Sequence, residues 1–568
     1  MPAGEVVFRQ GDAGDGLYLV VSGRLRVTVA ADGAERAVQD LGRGAIVGEI
    51  ALLTDRPRTA TVHAVRDSDL QLLRAPVFQE LAERSHALMS GMMRLLADWL
   101  LTRDRLLTER ALPPAVRAIA VAAAGQDPRP AATVGGLLAR QLAQTGRVRR
   151  VDADAIDREL GPGAAQRGPA DSGRGELAGW LHAVERDHDY VIYQAEPADT
   201  AWSRLCLSQA DVVLLAASAG GDPAPGPVAE RALAAPSLRC ELALLHAAQP
   251  SGTARWLAGR TLADHHHLRD GQPADAARLA RMITGTGCGL VLGGGGPRGL
   301  AHLGVIRALE EAGVPVDVVG GTSIGAIVGA LYALDLDEAA RARALTHDIG
   351  RLVTLTLPLV SVSSGHRVDR LLAERLGTVP IEDLPRPFFC VSASLTRAEE
   401  VIHDRGPLSP AVRASLSLPG IFPPVYADGD LLVDGATLNN VPVDVMRGRV
   451  GGGRVIAVDL TPEVEPMTFA PFAPGLSGWR VLGRRLNPFS SAPPVPGIGY
   501  ILTRSPSLSQ VRQRRAAFDG DRVDLLLTPP VEGLGALDFK GAAPLIEAGY
   551  RYATEMLAAS GLAQRFAT

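Results

Sequence analysis

The hydrophobic pattern of the N-terminal stretch predicts a small β-rich domain followed by a helix. Residues 1–75 alternate short β-rich runs with glycine turns, as in LYLVVSGRLRVTV and AERAVQDLGRGAIVGEIALL. Short strands separated in this way are typical of an antiparallel barrel or jelly roll. In residues 76–110 apolar positions recur at i, i+3 and i+4, which predicts a helix that ends before the proline pair at 113–114.

Two α/β patterns follow. Residues 115–285 alternate apolar runs such as ADVVLLAAS and CELALLHA with helical stretches, which predicts a parallel sheet covered by helices. From Gly289 a second unit runs strand, glycine loop, helix, strand, helix, and a helix near residues 543–559 closes the chain. The pattern therefore predicts a multidomain α/β protein with domains at 1–110, 111–285 and 286–568, the last carrying its motifs within 289–450.

Composition and charge exclude several classes of protein. The 568 residues are 46% hydrophobic and 21% charged, which fits globular domains, and 58 basic against 62 acidic residues offer no nucleic-acid surface. There is no signal peptide and no apolar run of the ~18 residues that a spanning helix needs. The cysteines form no CxxC pair, which indicates the reduced, partly buried thiols of a cytoplasmic protein: Cys206, Cys240, Cys288 and Cys390.

The pentapeptide GTSIG fits the G-x-S-x-G pattern of a nucleophile elbow, with Ser323 between an apolar strand and a helix of small residues. Gly321 and Gly325 would let the backbones pass at a tight turn. The helix N-terminus would add partial positive charge where an anion develops. A plain strand-to-helix turn fits the same five residues, so a base and an oxyanion hole are also needed.

Asp434 is the candidate base. In the α/β-hydrolase order a histidine follows the acid, but only His347, His366 and His403 follow Ser323 and none follows Asp434. In LLVDGATLNNVPV an apolar strand delivers the Asp434 carboxylate onto a glycine turn, where it could accept the serine proton directly. Its ordinary pKa of ~3.9 makes it a weak base, so a dry pocket would have to raise it. A β-turn aspartate is the alternative.

The loop GGGGPRG supplies candidate oxyanion donors. It also matches the dinucleotide pattern G-x-G-x-x-G, with Asp317 about 20 residues further on. Asp317, however, precedes the elbow instead of ending its strand, which weighs against a dinucleotide. Consecutive glycines expose the N–H groups that an oxyanion hole requires, and an arginine beside them would hold a phosphate headgroup. The predicted donors and headgroup ligand are Gly294, Gly295, Gly296 and Arg298.

The motifs GGGGPRG, GGTSIG, RASLSLPGIFPPV and VDGATLNNVP, in this order, resemble those of the patatin-like phospholipase family. The resemblance implies an α/β hydrolase domain with a Ser–Asp dyad, Ser323 as nucleophile and Asp434 as base. The segments GWRVLGRRLNPF, DFKGAAPLIEAGYRYA and YVIYQAEPADTAWSRLCLSQADVVLLAA resemble the neuropathy target esterase branch. That branch hydrolyses lysophospholipids behind cyclic-nucleotide-binding domains, and the transmembrane helix of some members is absent from this sequence.

The segments GEIALL and PRTATV resemble the phosphate-binding cassette of cyclic-nucleotide-binding domains. The resemblance implies a β-barrel in which a short helix and Arg58 bind the cyclic phosphate, Glu49 binds the ribose and Thr59 touches the purine. Either cAMP or cGMP fits as a regulatory ligand. The predicted contacts are Gly48, Glu49, Ile50, Ala51, Arg58 and Thr59.

Three further signals concern ligands. The strand–loop–helix IAVAAAGQDPRPAATVGGLLARQLA resembles a P-loop, but the chain's single lysine is Lys540, so we expect a degenerate P-loop-like domain without an ATP site. The histidines at 265–267 suggest a metal or a solvated loop, and the loop is favoured. Residues 466–494 place aromatic rings beside arginines, which suits either peripheral contact with the inner face of a membrane or a loop packed on its own domain.

The sequence thus favours a cytoplasmic serine esterase of phospholipids or lysophospholipids, needing no cofactor for catalysis and regulated by a cyclic nucleotide. Two alternatives remain open at this stage. One is a catalytically silent, nucleotide-responsive scaffold, and the other is a general esterase or triglyceride lipase. The first is disfavoured by the intact Ser323, Asp434 and glycine loop, and the second requires a panel of substrates to separate.

Overall fold

The computed structural model describes residues 1, 4–31, 34–42, 45–54, 56–84, 116–168, 171, 173–236, 238–346, 354, 356–357, 359–461, 477–478, 522–531 and 542–561. The chain forms two compact units, Met1–Thr286 and Gly287–Thr568. The candidate membrane segment 466–494, apart from residues 477 and 478, lies outside the described residues. The same holds for 85–115, so the predicted domain boundary near residue 110 stays a prediction.

The first unit begins with a five-stranded antiparallel sheet of order β1-β5-β2-β3, with β4 paired to β2. Val20, Leu25 and Val62 lie in its core. The antiparallel sheet agrees with the prediction, and its closure into a barrel stays a prediction, since the pairings of the described residues do not join β1 to β3. The elements are β1 (Val6–Phe8), β2 (Gly16–Ala31), β3 (Ala34–Leu41), β4 (Ile46–Val47), α1 (Glu49–Thr54), β5 (Thr61–Arg74) and α2 (Ala75–Arg84).

A six-stranded parallel sheet of order β11-β10-β9-β6-β8-β7 completes the first unit. Its central strands β6 and β9 are almost wholly apolar because successive side chains enter two different cores, as Ala120 and Val121 do. The elements are β6 (Ala118–Ala123), α3 (Arg129–Leu142), β7 (Val148–Val151), α4 (Ala153–Leu160), α5 (Arg174–Asp187), β8 (Tyr190–Gln194), α6 (Ala201–Gln209), β9 (Val212–Ser218), α7 (Pro227–Leu233), β10 (Cys240–His246), α8 (Thr253–Leu257), β11 (Asp264–Arg269) and α9 (Pro273–Thr284).

The prediction of a solvated loop at residues 265–267 is wrong. These histidines belong to the edge strand β11, in which His266 and His267 are buried. His266 Nε2 lies 2.8 Å from Glu241 Oε2, and His246 Nε2 lies 2.9 Å from His267 Nδ1. Partners on β10 therefore make burial of these polar rings tolerable. No cluster of three or more metal-ligating side chains occurs among the residues described.

The second unit is a mixed eight-stranded sheet of order β16-β17-β14-β13-β12-β18-β19, with β15 paired to β14. Strands β13, β12, β18 and β19 form a parallel centre, and β17 runs antiparallel to β14. The elements are β12 (Cys288–Leu292), α10 (Ala301–Glu311), β13 (Val318–Thr322), α11 (Ile324–Ala333), α12 (Glu338–Thr346), α13 (His366–Leu376), β14 (Phe388–Ser394), β15 (Glu399–His403), α14 (Leu408–Ser415), β16 (Val425–Ala427), β17 (Asp430–Asp434), α15 (Val443–Val450), β18 (Arg454–Val458), β19 (Leu525–Leu527) and α16 (Ala542–Ser560).

Two expectations about the whole chain can be compared with this fold. All four cysteines are free and buried, as predicted for reduced thiols. Of the helices in the described part of the chain, none combines the length and apolar character needed to cross a bilayer.

Candidate active site and nucleotide site

Ser323 occupies the tight turn between β13 and α11. Its φ of 57° and ψ of −125° lie outside the regions that L-residues ordinarily adopt, which costs about 1–3 kcal/mol. A Cβ on Gly321 would lie 2.6 Å from the Leu292 carbonyl oxygen, and one on Gly325 would lie closer still. Both glycines are therefore sterically required where the turn passes β12, as the pentapeptide predicts.

Two hydroxyl groups hold this turn in place. The Ser323 N–H donates to Ser415 Oγ at 3.0 Å, and Ser415 Oγ donates to the Val391 carbonyl at 2.7 Å. The Thr322 hydroxyl donates to the Asn439 carbonyl at 3.0 Å. Ser415 is fully buried, so its two bonds fasten the elbow to β14 without competition from water.

Asp434 ends β17, which pairs with β14 just beyond the end of β13, along the edge of β14 opposite β15. Its carboxylate is fully buried. Oδ1 accepts from the Ala436 N–H at 2.8 Å, whereas Oδ2 has no hydrogen-bond partner in the described structure. Burial raises the pKa of the carboxyl to about 7, and the nearby Ser323 hydroxyl lowers it to a smaller extent. The Asp434 carboxyl thus has a pKa close to neutral pH, and its Oδ2 can accept one further hydrogen bond.

The glycine loop lies over the serine, because a Cβ on Gly294 would be 3.2 Å from Ser323 Cβ. The Gly294 N–H already donates to the Asn440 carbonyl at 3.2 Å. Gly294 is therefore not a free oxyanion donor, contrary to the sequence prediction. Within the described chain, the N–H groups of Gly295 and Gly296 have no hydrogen-bond partner.

Arg298 bends back onto this loop. Its Nε donates to the Gly295 carbonyl at 3.2 Å, and partial burial lowers the pKa of the guanidinium. In this conformation the side chain supports the loop, and its predicted contact with a phosphate headgroup stays a prediction. Asp317, weighed as a ribose ligand, is instead buried and accepts from the Cys288 N–H at 3.0 Å, where it ties the start of β12.

Three further residues support the site, although the sequence predicts no role for them. His302 Nε2 lies 2.8 Å from the Gly293 carbonyl, and burial lowers the pKa of the imidazole to about 4, so the neutral ring donates this bond. Asn440 Nδ2 donates to the Gly294 carbonyl at 3.3 Å. Ser415 and Asn440 stand inside two of the quoted motifs and His302 follows a third, but only the fold reveals the partners of these side chains.

The predicted nucleotide residues meet around Arg58. Its guanidinium is buried and donates to the carbonyls of Gly16 at 2.7 Å and Gly48 at 2.8 Å, and to Asp15 Oδ1 at 2.6 Å. It also lies 4.1 Å from the centre of the Phe8 ring. A carboxylate and two carbonyls therefore occupy the donors that the sequence assigns to a cyclic phosphate.

The other cassette residues differ in exposure. Glu49 begins α1, and burial raises the pKa of its carboxyl although Arg58 lowers it. Ile50 is half-buried, Ala51 is buried and Thr59 is exposed beside Arg58. The structure thus brings Gly48, Glu49 and Arg58 together, while Ala51 can offer a nucleotide only its backbone.

Comparisons with known proteins agree with this organisation. Residues 1–85 match the model for a cyclic nucleotide-binding domain, 117–284 the Neuropathy Target Esterase family P-loop like domain and 290–447 the patatin-like phospholipase. The chain is 32% identical to lysophospholipase nte1 of Aspergillus fumigatus, over 98% of this chain and 41% of that protein. It is 33% identical to patatin-like phospholipase domain-containing protein 6 of Homo sapiens and to protein 7 of Mus musculus, in each case over 97% of this chain and 44% of the relative.

The chain thus spans less than half the length of these relatives. Within that span the three domains follow one another in the predicted order, and the similarity extends over nearly every residue of the chain. The chain thus carries a patatin-like phospholipase domain behind a cyclic nucleotide-binding domain and a Neuropathy Target Esterase family P-loop like domain.

Proposed function

We propose that the chain is a serine esterase that hydrolyses acyl esters of lysophospholipids or phospholipids. The observation that carries this proposal is the fully buried Asp434 carboxylate, whose pKa is about 7 and whose Oδ2 has no hydrogen-bond partner in the described structure, next to Ser323. An aspartate with its ordinary pKa would be too weak a base, and one with a much higher pKa would be protonated at neutral pH.

The reaction follows from these groups. Ser323 Oγ forms a bond to the ester carbonyl carbon while its proton moves to Asp434 Oδ2. The N–H groups of Gly295 and Gly296 stabilise the negative charge that develops on the carbonyl oxygen. As the tetrahedral intermediate collapses, the bond to the leaving alcohol breaks and Asp434 returns the proton to that alcohol. In the second half, Asp434 takes a proton from water as that water forms a bond to the acyl carbon; the bond to Ser323 Oγ then breaks, Asp434 returns the proton to Oγ, and the fatty acid leaves.

The test is release of fatty acid from lysophosphatidylcholine, phosphatidylcholine and a triacylglycerol by the full chain. We expect S323A to lower kcat/KM by on the order of 10³-fold or more and D434N by about 10²–10⁴-fold. Turnover of the phospholipids would support the proposal, whereas turnover of triacylglycerol alone would favour the general lipase. No serine-dependent release from any of the three would favour the silent scaffold.

A second serine provides a matched control. Ser392 Oγ lies 2.7 Å from His403 Nε2, which resembles a Ser–His pair. Ser392 is fully buried within β14, so an ester has no access to its hydroxyl. S392A is expected to retain activity within about threefold of wild type, and a loss equal to that of S323A would contradict the assignment of Ser323.

We further propose that the N-terminal domain binds cAMP or cGMP and regulates the esterase. The match of residues 1–85 to a cyclic nucleotide-binding domain supports this, and so does Arg58, which donates to the Gly48 carbonyl and lowers the pKa of Glu49. Calorimetric titration of the full chain with each nucleotide distinguishes the two ligands, and R58Q should abolish the binding heat. Binding without any change in esterase rate would leave a ligand site but refute regulation.

A further inference from the structure

One loop of the second unit exposes three large aliphatic side chains. Leu357 is 74% exposed, Leu359 85% and Val360 71%, and together they are called the apolar tip below. Adjacent aliphatic side chains with this exposure favour transfer into an apolar environment, and soluble proteins seldom display them without a partner.

The loop that carries the apolar tip is fixed at its base. The Thr356 N–H donates to the Val362 carbonyl at 3.0 Å, and the Ser364 N–H donates to the Thr354 carbonyl at 2.9 Å. Two further bonds of 2.9 Å run from the N–H groups of residues 362 and 363 to the carbonyls of Gly420 and Ile421. The stem is therefore held while the side chains of the tip point away from the protein's own core.

The stem and the candidate active site share one segment of chain. Gly420 and Ile421, which accept from the stem, follow closely on Ser415 and Ser417. Ser415 holds the N–H of Ser323, and the Ser417 carbonyl accepts from the Asp434 N–H at 2.9 Å. A surface that received the apolar tip would therefore be coupled through residues 415–421 to both reacting groups.

Charged residues near the loop indicate what kind of surface the apolar tip contacts. Helix α13 begins directly after the stem and exposes Arg367 and Arg370 on one face, since they are three positions apart. The acidic residue between them, Asp369, is paired with Arg413 Nε at 2.6 Å. Aliphatic side chains beside arginines suit the boundary between acyl chains and anionic headgroups better than they suit a second protein copy.

We propose that the apolar tip inserts into a phospholipid surface, with Arg367 and Arg370 contacting lipid phosphates. The choice of this surface rests on the proposed function, because the acyl esters it names reside in such surfaces. Insertion would bring the stem, to which Gly420 and Ile421 are hydrogen-bonded, to the surface that holds these esters. This contact involves residues other than 466–494, the segment that the sequence suggests.

The experiment is sedimentation of the full chain with vesicles of phosphatidylcholine alone or mixed with phosphatidylglycerol. The triple variant L357S/L359S/V360S should reduce the vesicle-bound fraction, expressed as a partition coefficient, by about tenfold or more. Its control is L395S/I402S, which changes side chains that are 57% and 45% exposed around the β14–β15 hairpin and should bind within about twofold of wild type. R367Q/R370Q should weaken binding to anionic vesicles only, and less so at high salt.

Hydrolysis of a water-soluble short-chain ester separates this inference from the proposed function. The triple variant should keep that activity, which also shows that it folds, while S323A should lose it and still bind vesicles. Wild-type vesicle binding by the triple variant would overturn the inference. It would also be overturned if the triple variant changed the oligomeric state in size-exclusion chromatography with vesicle binding unaltered, because the tip would then contact a second copy.

Discussion

Replacing Asp434 by asparagine should stabilise the protein while it removes the base. Burial raises the pKa of this carboxyl from 3.8 to about 7, so the folded state disfavours the ionised form. Below pH ~4 both folded and unfolded chains hold the proton and the penalty is absent. As the pH rises the unfolded chain ionises first, and the folded state loses stability until the pH exceeds about 7. A shift of about three units corresponds to a penalty of about 4 kcal/mol at high pH.

The asparagine variant keeps the shape of the side chain without this penalty. The gain in the free energy of unfolding should be about 2 kcal/mol at pH 5 and about 4 kcal/mol at pH 8.5, because linkage integrates the two pKa values over that range. Urea unfolding of the full chain, monitored by hydrogen exchange in peptides from β13 and β17, measures the free energy of unfolding of the second unit by itself. This separation is needed because a chain of several domains does not unfold in two states.

Asp430 offers a matched control on the same strand. Its carboxylate pairs with Arg397, and hydrogen bonds from that guanidinium lower the pKa of the carboxyl. D430N should therefore give no stabilisation, and any loss it causes should fade as the pH falls through the lowered pKa. The reasoning on Asp434 is refuted if D434N is no more stable than wild type at pH 8.5, or if its gain is the same at both pH values.

Three further predictions concern the esterase and the first unit. Since only ionised Asp434 can accept the serine proton, kcat/KM for a soluble ester should rise about tenfold per pH unit below ~7 and level off above it, and a flat profile from pH 5 to 8 would contradict this. H302A leaves the Gly293 carbonyl unpaired and should lower kcat about tenfold with little change in KM, with partial recovery in H302Q, as steady-state kinetics would measure. Arg24 pairs with Asp211 at 2.5 Å, so R24Q and D211N should each lower the free energy of unfolding of the first unit by about 1–3 kcal/mol, and in a double-mutant cycle the combined loss should be smaller than the sum.

The parts of the fold that the sequence reveals are those set by local rules. The central strands β6 and β9 of the parallel sheet are almost wholly apolar because both faces are covered, and that pattern is visible residue by residue. Gly321 and Gly325 were predictable from the G-x-S-x-G motif, and the structure supplies the reason, because a Cβ on either residue would clash with the Leu292 carbonyl of β12. The loop prediction for the histidines of β11 was wrong, because their burial depends on a glutamate of β10 and no local sequence pattern identifies that contact.

The same distinction between local motifs and long-range contacts applies to the candidate site. Ser323 and Asp434 stand in short motifs, but the pKa that makes Asp434 a base arises from burial by the whole domain. Of the candidate oxyanion donors, Gly295 and Gly296 remain, because the Gly294 N–H donates a hydrogen bond to the Asn440 carbonyl. That carbonyl lies far along the chain from the loop, and sequence spacing gives no measure of such a contact.

Two features of this site lower the stability of the protein in its resting state. One is the positive φ of Ser323, and the other is the buried carboxyl of Asp434 with an oxygen that lacks a hydrogen bond in the described structure. Both persist because surrounding bonds over-determine the geometry, above all the two bonds of the buried Ser415 hydroxyl. If this turn only connected β13 to α11, the protein would be more stable with an ordinary backbone conformation at Ser323 and a neutral side chain in place of Asp434. The coincidence of both costs at one site, beneath a loop in which the N–H groups of Gly295 and Gly296 have no partner in the described structure, supports the proposed catalytic role over a purely structural one.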